Sequence, residues 1–219
     1  MRHAPTAWAL LFAAGGLTAA VGCAATAMQV PAAAQQSPAW QLSGYSASAY
    51  RNRDFTLDGR TVRAVHRSGT ASSPGNRTVE SAPRHYRFEL AWGSQVWAAE
   101  CSEVTDPRKL WILQYGQGTA HLECSCREGS VTHAQLSLAE DAGTATLASG
   151  ARYEVAAVHQ SAQGKHKREA LGYVLTNASG TGALERTGAG RAWPPPALDE
   201  RTENELSCVY AALLLYQPK

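Results

Sequence analysis

Asp199-Glu200-Arg201-Thr202-Glu203-Asn204-Glu205 runs directly into Leu206-Ser207-Cys208-Val209-Tyr210-Ala211-Ala212-Leu213-Leu214-Leu215-Tyr216, and this stretch decides the fold. The acidic lead suits a helix N-terminus, because the helix dipole favours negative charge in the first turn. Asp199 offers an N-cap, and Thr202 with Glu205 three residues later forms an alternative capping box. From Leu206 to Tyr216 the only polar residue is Ser207, so apolar side chains point in every direction around the helix. A helix of that kind, over about 199–216, must be enclosed on all sides. These eleven residues rise only about 16 Å, too short to span a bilayer. Trp193-Pro194-Pro195-Pro196 separates the helix from what precedes it.

Upstream the pattern has a different period. In Tyr86-Arg87-Phe88-Glu89-Leu90-Ala91-Trp92 bulky apolar residues alternate with polar or small ones, as in a strand with one wet face. Similar segments lie at 54–66, 94–101, 109–115, 119–127, 130–138, 143–148, 151–159, 168–177 and 181–187, separated by Gly, Ser, Pro and Asn. No helical stretch intervenes between them, which predicts an antiparallel barrel or sandwich rather than a βαβ fold. Residues 67–83, rich in Ser, Gly, Pro and Asn, predict a mobile loop. The class is mainly β with one buried C-terminal helix, in a single domain over 40–219.

Strands followed by the acid-capped apolar helix Asp199 to Tyr216 resemble the tubby C-terminal and phospholipid-scramblase-like barrels. The resemblance implies a closed antiparallel barrel wrapped around a hydrophobic helix. Some members bind phosphoinositide head groups through basic surface residues, which implies a lipid role by analogy with no residue of this chain assigned to it.

The N-terminus speaks of location. Arg2 and His3 precede an apolar run from Ala7 to Val21 broken by Gly and Thr, too short for a membrane-spanning helix and suited to an export signal over 1–23. Ala20-Val21-Gly22-Cys23 resembles the bacterial lipobox, with Ala where that pattern prefers Leu, and implies acylation at Cys23. Ala24 after it resembles outer-membrane sorting in double-membrane bacteria. Cleavage after Ala25-Thr26-Ala27 or Ala32-Ala33-Ala34 is the competing outcome and yields a secreted or periplasmic soluble protein. Residues 24–39 carry no charge and little apolar bulk, a composition that predicts a flexible linker. The net charge of +2 over 219 residues does not favour nucleic acid. The partners expected are a membrane through the N-terminal lipid, and an envelope protein or lipid.

Setting Cys23 aside leaves Cys101, Cys124, Cys126 and Cys208, the even set expected in an oxidising compartment. Cys124 and Cys126 lie two apart in a strand and face the same way as Leu122, toward the core. A bond between them would strain the extended backbone, so one should join Cys101 and the other Cys208, in either combination. The alternative is a metal site of Cys124 and Cys126 with His121 or His133, although the spacing lacks a second close ligand pair.

The histidines at 66, 85, 121, 133, 159 and 166 are dispersed and read as surface or structural groups. No G-x-S-x-G, H-E-x-x-H or G-x-x-x-x-G-K-[ST] pattern occurs, so no catalytic residue, metal or cofactor is expected. Gly180-Thr181-Gly182 and Gly188-Ala189-Gly190 lack the helix and Lys of a phosphate cradle and predict hairpin turns. Lys165, Lys167 and Arg168, with His166 between, offer contact to an anionic surface or form a solvated hairpin tip. Trp92, Trp97 and Trp111 sit in strand segments, as core or as a pocket wall. Asn76-Arg77-Thr78 and Asn177-Ala178-Ser179 match glycan acceptors, which matter only in a eukaryotic secretory path. The function expected is an envelope lipoprotein with a non-enzymatic β-rich binding domain. The alternatives are a lipid-handling barrel and an envelope hydrolase with an unfamiliar site.

Overall fold

A computed structural model describes residues 26–47, 54–68, 84–106 and 119–216. Twelve antiparallel strands follow one another in sequence order around a single sheet. They are β1 (Leu42–Ser43), β2 (Phe55–Leu57), β3 (Arg60–Ser68), β4 (Arg84–Trp92), β5 (Gln95–Asp106), β6 (Thr119–Glu128), β7 (Val131–Ala139), β8 (Ala142–Leu147), β9 (Arg152–Val158), β10 (Gly172–Asn177), β11 (Gly180–Glu185) and β12 (Arg191–Trp193). Just ahead of β1, Trp40 donates its N–H to the carbonyl of Ala192 in β12 at 2.7 Å, an antiparallel bridge that brings the two ends of the sheet together. The nearly closed barrel leaves few unpaired backbone edges to attract another chain.

The alternation read from the sequence is the alternation of the wall. Tyr86, Phe88 and Leu90 of β4 face inward, as do Leu122, Cys124 and Cys126 of β6 and Leu136 and Leu138 of β7, all buried. Their inner face meets α1 (Glu200–Leu215), which fills the barrel. Every residue from Asn204 to Leu214 is buried, including Ser207, whose hydroxyl returns to the Glu203 carbonyl at 2.7 Å. Asp199 is the cap, its Oδ1 accepting the N–H of Thr202 at 2.7 Å. That bond to the charged form lowers the Asp199 pKa. Glu205 does not serve a capping box: it accepts from Arg201 Nε at 3.0 Å and from the Ser149 N–H at 3.1 Å. Among the described residues no helix is long and apolar enough to cross a membrane.

The helix gives the barrel two unlike rims. At its N-terminal end lie the turns 58–59, 93–94, 129–130 and 178–179. There the buried Arg60 donates to Asn204 Oδ1 at 2.7 Å, pairs with Glu203 and Asp58 at 3.3 Å each, and stacks over the Trp40 ring. At the helix C-terminal end Arg186 donates to the Tyr216 carbonyl and lies over the Tyr173 ring, with the loops 159–171 and 186–190 around it.

Several boundaries differ from those read in the sequence. The segment 54–66 is two strands, folded at Asp58 and Gly59, both with positive φ. Of 67–83 only Arg67 and Ser68 are described, at the end of β3, and 109–115 with Trp111 lies outside the described residues, as does the whole of 1–23. The short strands β1 and β12 add to those expected.

The largest correction concerns the linker expected at 24–39. Its described part, 26–39, is a strap packed on the outer wall. Met28 bridges Ser161 and donates its N–H to Glu185 Oε1 at 2.8 Å. A short 3₁₀ turn, Ala34–Gln36, follows. Met28 and Ala34 are buried with Leu171 and Ala183, forming a second small core outside the barrel with Val174 and Trp193 at its margin. Gly172 makes the close approach feasible, since a Cβ there would stand 1.9 Å from the Leu184 carbonyl oxygen and 2.4 Å from Met28 Sδ. Overpacking of this kind costs about 1–3 kcal/mol. Gly172→Ala is therefore expected to lower stability by that amount and to raise hydrogen exchange at the Met28 amide. Unchanged protection of that amide would show that the strap does not depend on the glycine.

Candidate functional site

Strand register, not sequence proximity, assembles the outer surface of the barrel. Across β4 to β8 one row of directly opposed residues is Arg87, Glu100, Ser125, Gln135 and Thr146. The next row, two residues along each strand, is His85, Ser102, Glu123, Ser137 and Thr144. Alternation points all ten outward, because their sequence neighbours Tyr86, Cys101, Cys124, Leu136 and Ala145 point in. Together the two rows line a groove of about 880 Å³ on the outer wall.

Small hydroxyls and one amide share the groove with charged groups on β4, β5 and β6. Arg87 Nη2 meets Glu100 Oε1 at 3.0 Å, and Ser137 Oγ donates to Glu123 Oε1 at 2.6 Å. Tyr86 also borders the groove, but its hydroxyl is committed inward to the Ala212 carbonyl at 2.9 Å. The lining can exchange hydrogen bonds along about five strands, roughly 20–24 Å at ordinary strand spacing.

Behind the groove the cysteines form two disulfides. Cys101 joins Cys124, its direct cross-strand partner, and Cys126 joins Cys208 on α1. One of the close pair thus meets Cys101 and the other meets Cys208, and the register decides which. The metal alternative loses its sulfur ligands to these bridges, and among the described residues no His, Cys, Asp and Glu cluster could hold a metal ion. Two disulfides indicate a non-cytoplasmic location.

The remaining candidates fall elsewhere. Cys23 lies outside the described residues. Lys165, Lys167 and Arg168 sit in the β9–β10 connection at the helix C-terminal rim, Lys165 and Arg168 exposed and Lys167 half-buried. In the same connection His159 and His166 stack with ring centroids 5.4 Å apart, and His159 Nε2 lies 3.1 Å from Asp141 Oδ1. The two histidines stand seven positions apart in sequence, and only the folding back of the loop brings them together. His133 stacks on Trp97 at 4.0 Å, with Trp92 edge-on to Trp97. These aromatics pack against one another at the wall, away from the groove lining. Gly188 and Gly190 adopt positive φ in the turn between β11 and β12, as expected, whereas Gly180-Thr181-Gly182 is not itself a turn: it opens β11, paired with Asn177, Thr176 and Leu175 of β10, and the turn is 178–179.

The interior is the least available place for a ligand. Tyr153, Tyr173, Tyr210 and Tyr216 pack inside with the aliphatic core. Burial raises the pKa of each phenol; that of Tyr173 reaches about 12 despite the opposing Arg186 charge. Tyr210 is fixed by donation to the Trp193 carbonyl at 2.9 Å. No family model, curated protein or solved structure matches this chain.

Proposed function

We propose that this protein is an exported, N-terminally acylated envelope lipoprotein whose barrel is a non-enzymatic binding module, with its ligand taken on the outer β4–β8 wall. The observation that carries the binding surface is the contrast between a helix-filled interior and an outer groove of about 880 Å³ edged by hydroxyl, amide and charged side chains. The anchor rests on Ala20-Val21-Gly22-Cys23 following an export-type apolar run, and on the four remaining cysteines all being paired in bridges. Rows of hydroxyl, amide and carboxylate groups suit an extended polar partner, such as a glycan strand or a peptide in extended form, better than an acyl chain. A lipid-handling barrel in the strict sense needs interior room, and here that room is occupied by α1.

Two measurements test this reading. Intact-mass analysis of the protein from its own membrane should show acyl groups on Cys23; a free N-terminus after Ala27 or Ala34 overturns the anchor. A photoreactive residue at Ser125, in the groove, should yield an envelope adduct in living cells, while the same residue at Thr176, exposed on β10, should not. Equal adducts from both positions, or none from Ser125, overturn the binding surface.

A further inference from the structure

The strap fixes the position of Ala27 on the barrel. Ala162 donates its N–H to the carbonyl of Ala27 at 2.9 Å, and Gln29 donates to the carbonyl of Gln160 at 2.9 Å. With the Met28–Ser161 bridge these bonds seat the strap alongside the start of the β9–β10 connection, at the helix C-terminal rim. Cys23 precedes Ala27 by four residues, a length of chain that spans at most about 14 Å. The opposite rim stands roughly 30 Å away, the length of nine strand residues. A lipid on Cys23 therefore reaches one rim far more closely than the other.

What the near rim presents is an ordered basic hairpin. Ser161 donates its N–H to the Lys165 carbonyl at 2.9 Å, the Lys165 N–H returns to Ser161 Oγ at 3.1 Å, and Lys167 donates to the His159 carbonyl at 2.8 Å. Gln160 and His166 form a bridge across it. Lys165 and Arg168 extend into solvent beside the strap, with Lys167 between them. Acids share this rim too: Glu169 follows Arg168, Glu140 and Asp141 form the β7–β8 turn with Asp141 facing His159 at 3.1 Å, and the buried Glu185 ends β11 beneath the strap. Net charge alone would not draw the rim to an anionic surface, so the tether must set the approach and the exposed basic side chains complete the contact.

We infer that the barrel stands on its helix C-terminal rim against the phospholipid surface, with Lys165, Lys167 and Arg168 at the level of the head-group phosphates. The inference rests on acylation at Cys23 and adds to it an orientation and a lipid contact. In this posture the β4–β8 groove faces sideways along the bilayer, open to a partner.

The test uses the full-length acylated protein, its mass confirmed, in vesicles of phosphatidylcholine and phosphatidylglycerol carrying a head-group quencher. A fluorophore is attached to Gln163→Cys at the hairpin tip or to Ser130→Cys at the opposite rim, both at exposed turns. Quenching should be at least fivefold stronger at 163 than at 130. The triple change Lys165→Glu, Lys167→Glu and Arg168→Glu should reduce that ratio at least twofold. Equal quenching at the two rims in a correctly acylated protein overturns the orientation and leaves the anchor standing. An unchanged ratio in the triple variant overturns the head-group contact. A mass without acyl groups overturns the anchor and the orientation together.

Discussion

Replacing Cys126 and Cys208 together by Ala should lower the unfolding free energy by about 4.5 kcal/mol, and replacing Cys101 and Cys124 by about 3.4 kcal/mol. The difference comes from the chain each bridge closes, 82 residues against 23. A longer closed segment removes more conformational freedom from the unfolded chain. The two loops are consecutive in sequence and do not overlap, so their effects should nearly add. Against a typical domain stability of about 5–15 kcal/mol, losing both leaves little. The longer bridge has a second consequence. It holds α1 to β6 at Cys208, in the middle of the helix, and is the cross-link between helix and wall. Without it, exchange of the α1 amides should rise more than exchange in β4 and β5, because the helix can leave its channel as a unit. Guanidinium titration of the two double variants, with exchange read residue by residue, checks both statements. Equal destabilisation by the two pairs would show that native-state strain, not loop closure, governs the bridges.

Helix and wall were legible for the same reason: each writes its environment into a short window of sequence. An apolar run on all faces of a helix demands enclosure, and Asp199 three residues before a free N–H supplies its cap. Period-two alternation in 86–92 and 119–127 put Cys124 and Cys126 on the core side. The choice of Cys101 for Cys124 needed the β5–β6 register, which no local window contains. The groove was hidden for the same reason. Its ten residues come from five strands, and Ser125 or Thr144 is unremarkable until Gln135 and Ser137 stand beside it. The strap is not legible in composition, which reports average bulk, whereas Met28 is held by particular features of the wall: the bare α-carbon of Gly172 and the carboxylate of Glu185. Low apolar content argues against an independent core, but it does not prevent docking on someone else's wall.

Raising the pH from 10 to about 12 should unfold this protein abruptly. Of the four buried phenols whose pKa burial raises, Tyr173, Tyr210 and Tyr216 are shifted furthest above the ordinary value of 10.0, Tyr173 to about 12. Phenols are neutral when protonated, so the folded state keeps protons that the unfolded chain releases once the pH exceeds about 10. Stability from these groups is then fully present below pH 10 and lost as the pH climbs toward 12 and beyond. Each such phenol tilts stability by about 1.4 kcal/mol per pH unit in that window, so three together contribute about 4 kcal/mol per unit. One and a half to two units would exhaust the stability of an ordinary domain. Tyrosinate absorbance should therefore rise in a steep step that coincides with loss of near-ultraviolet circular dichroism, measured promptly after dilution into base. Tyr216→Phe removes one of the three phenols while preserving the ring at the helix end, and should make the step shallower by about a third. A gradual rise centred near 10 with the fold intact would mean that the phenols reach water without unfolding, and that the interior is not the sealed, helix-filled space on which the outer-wall binding surface depends.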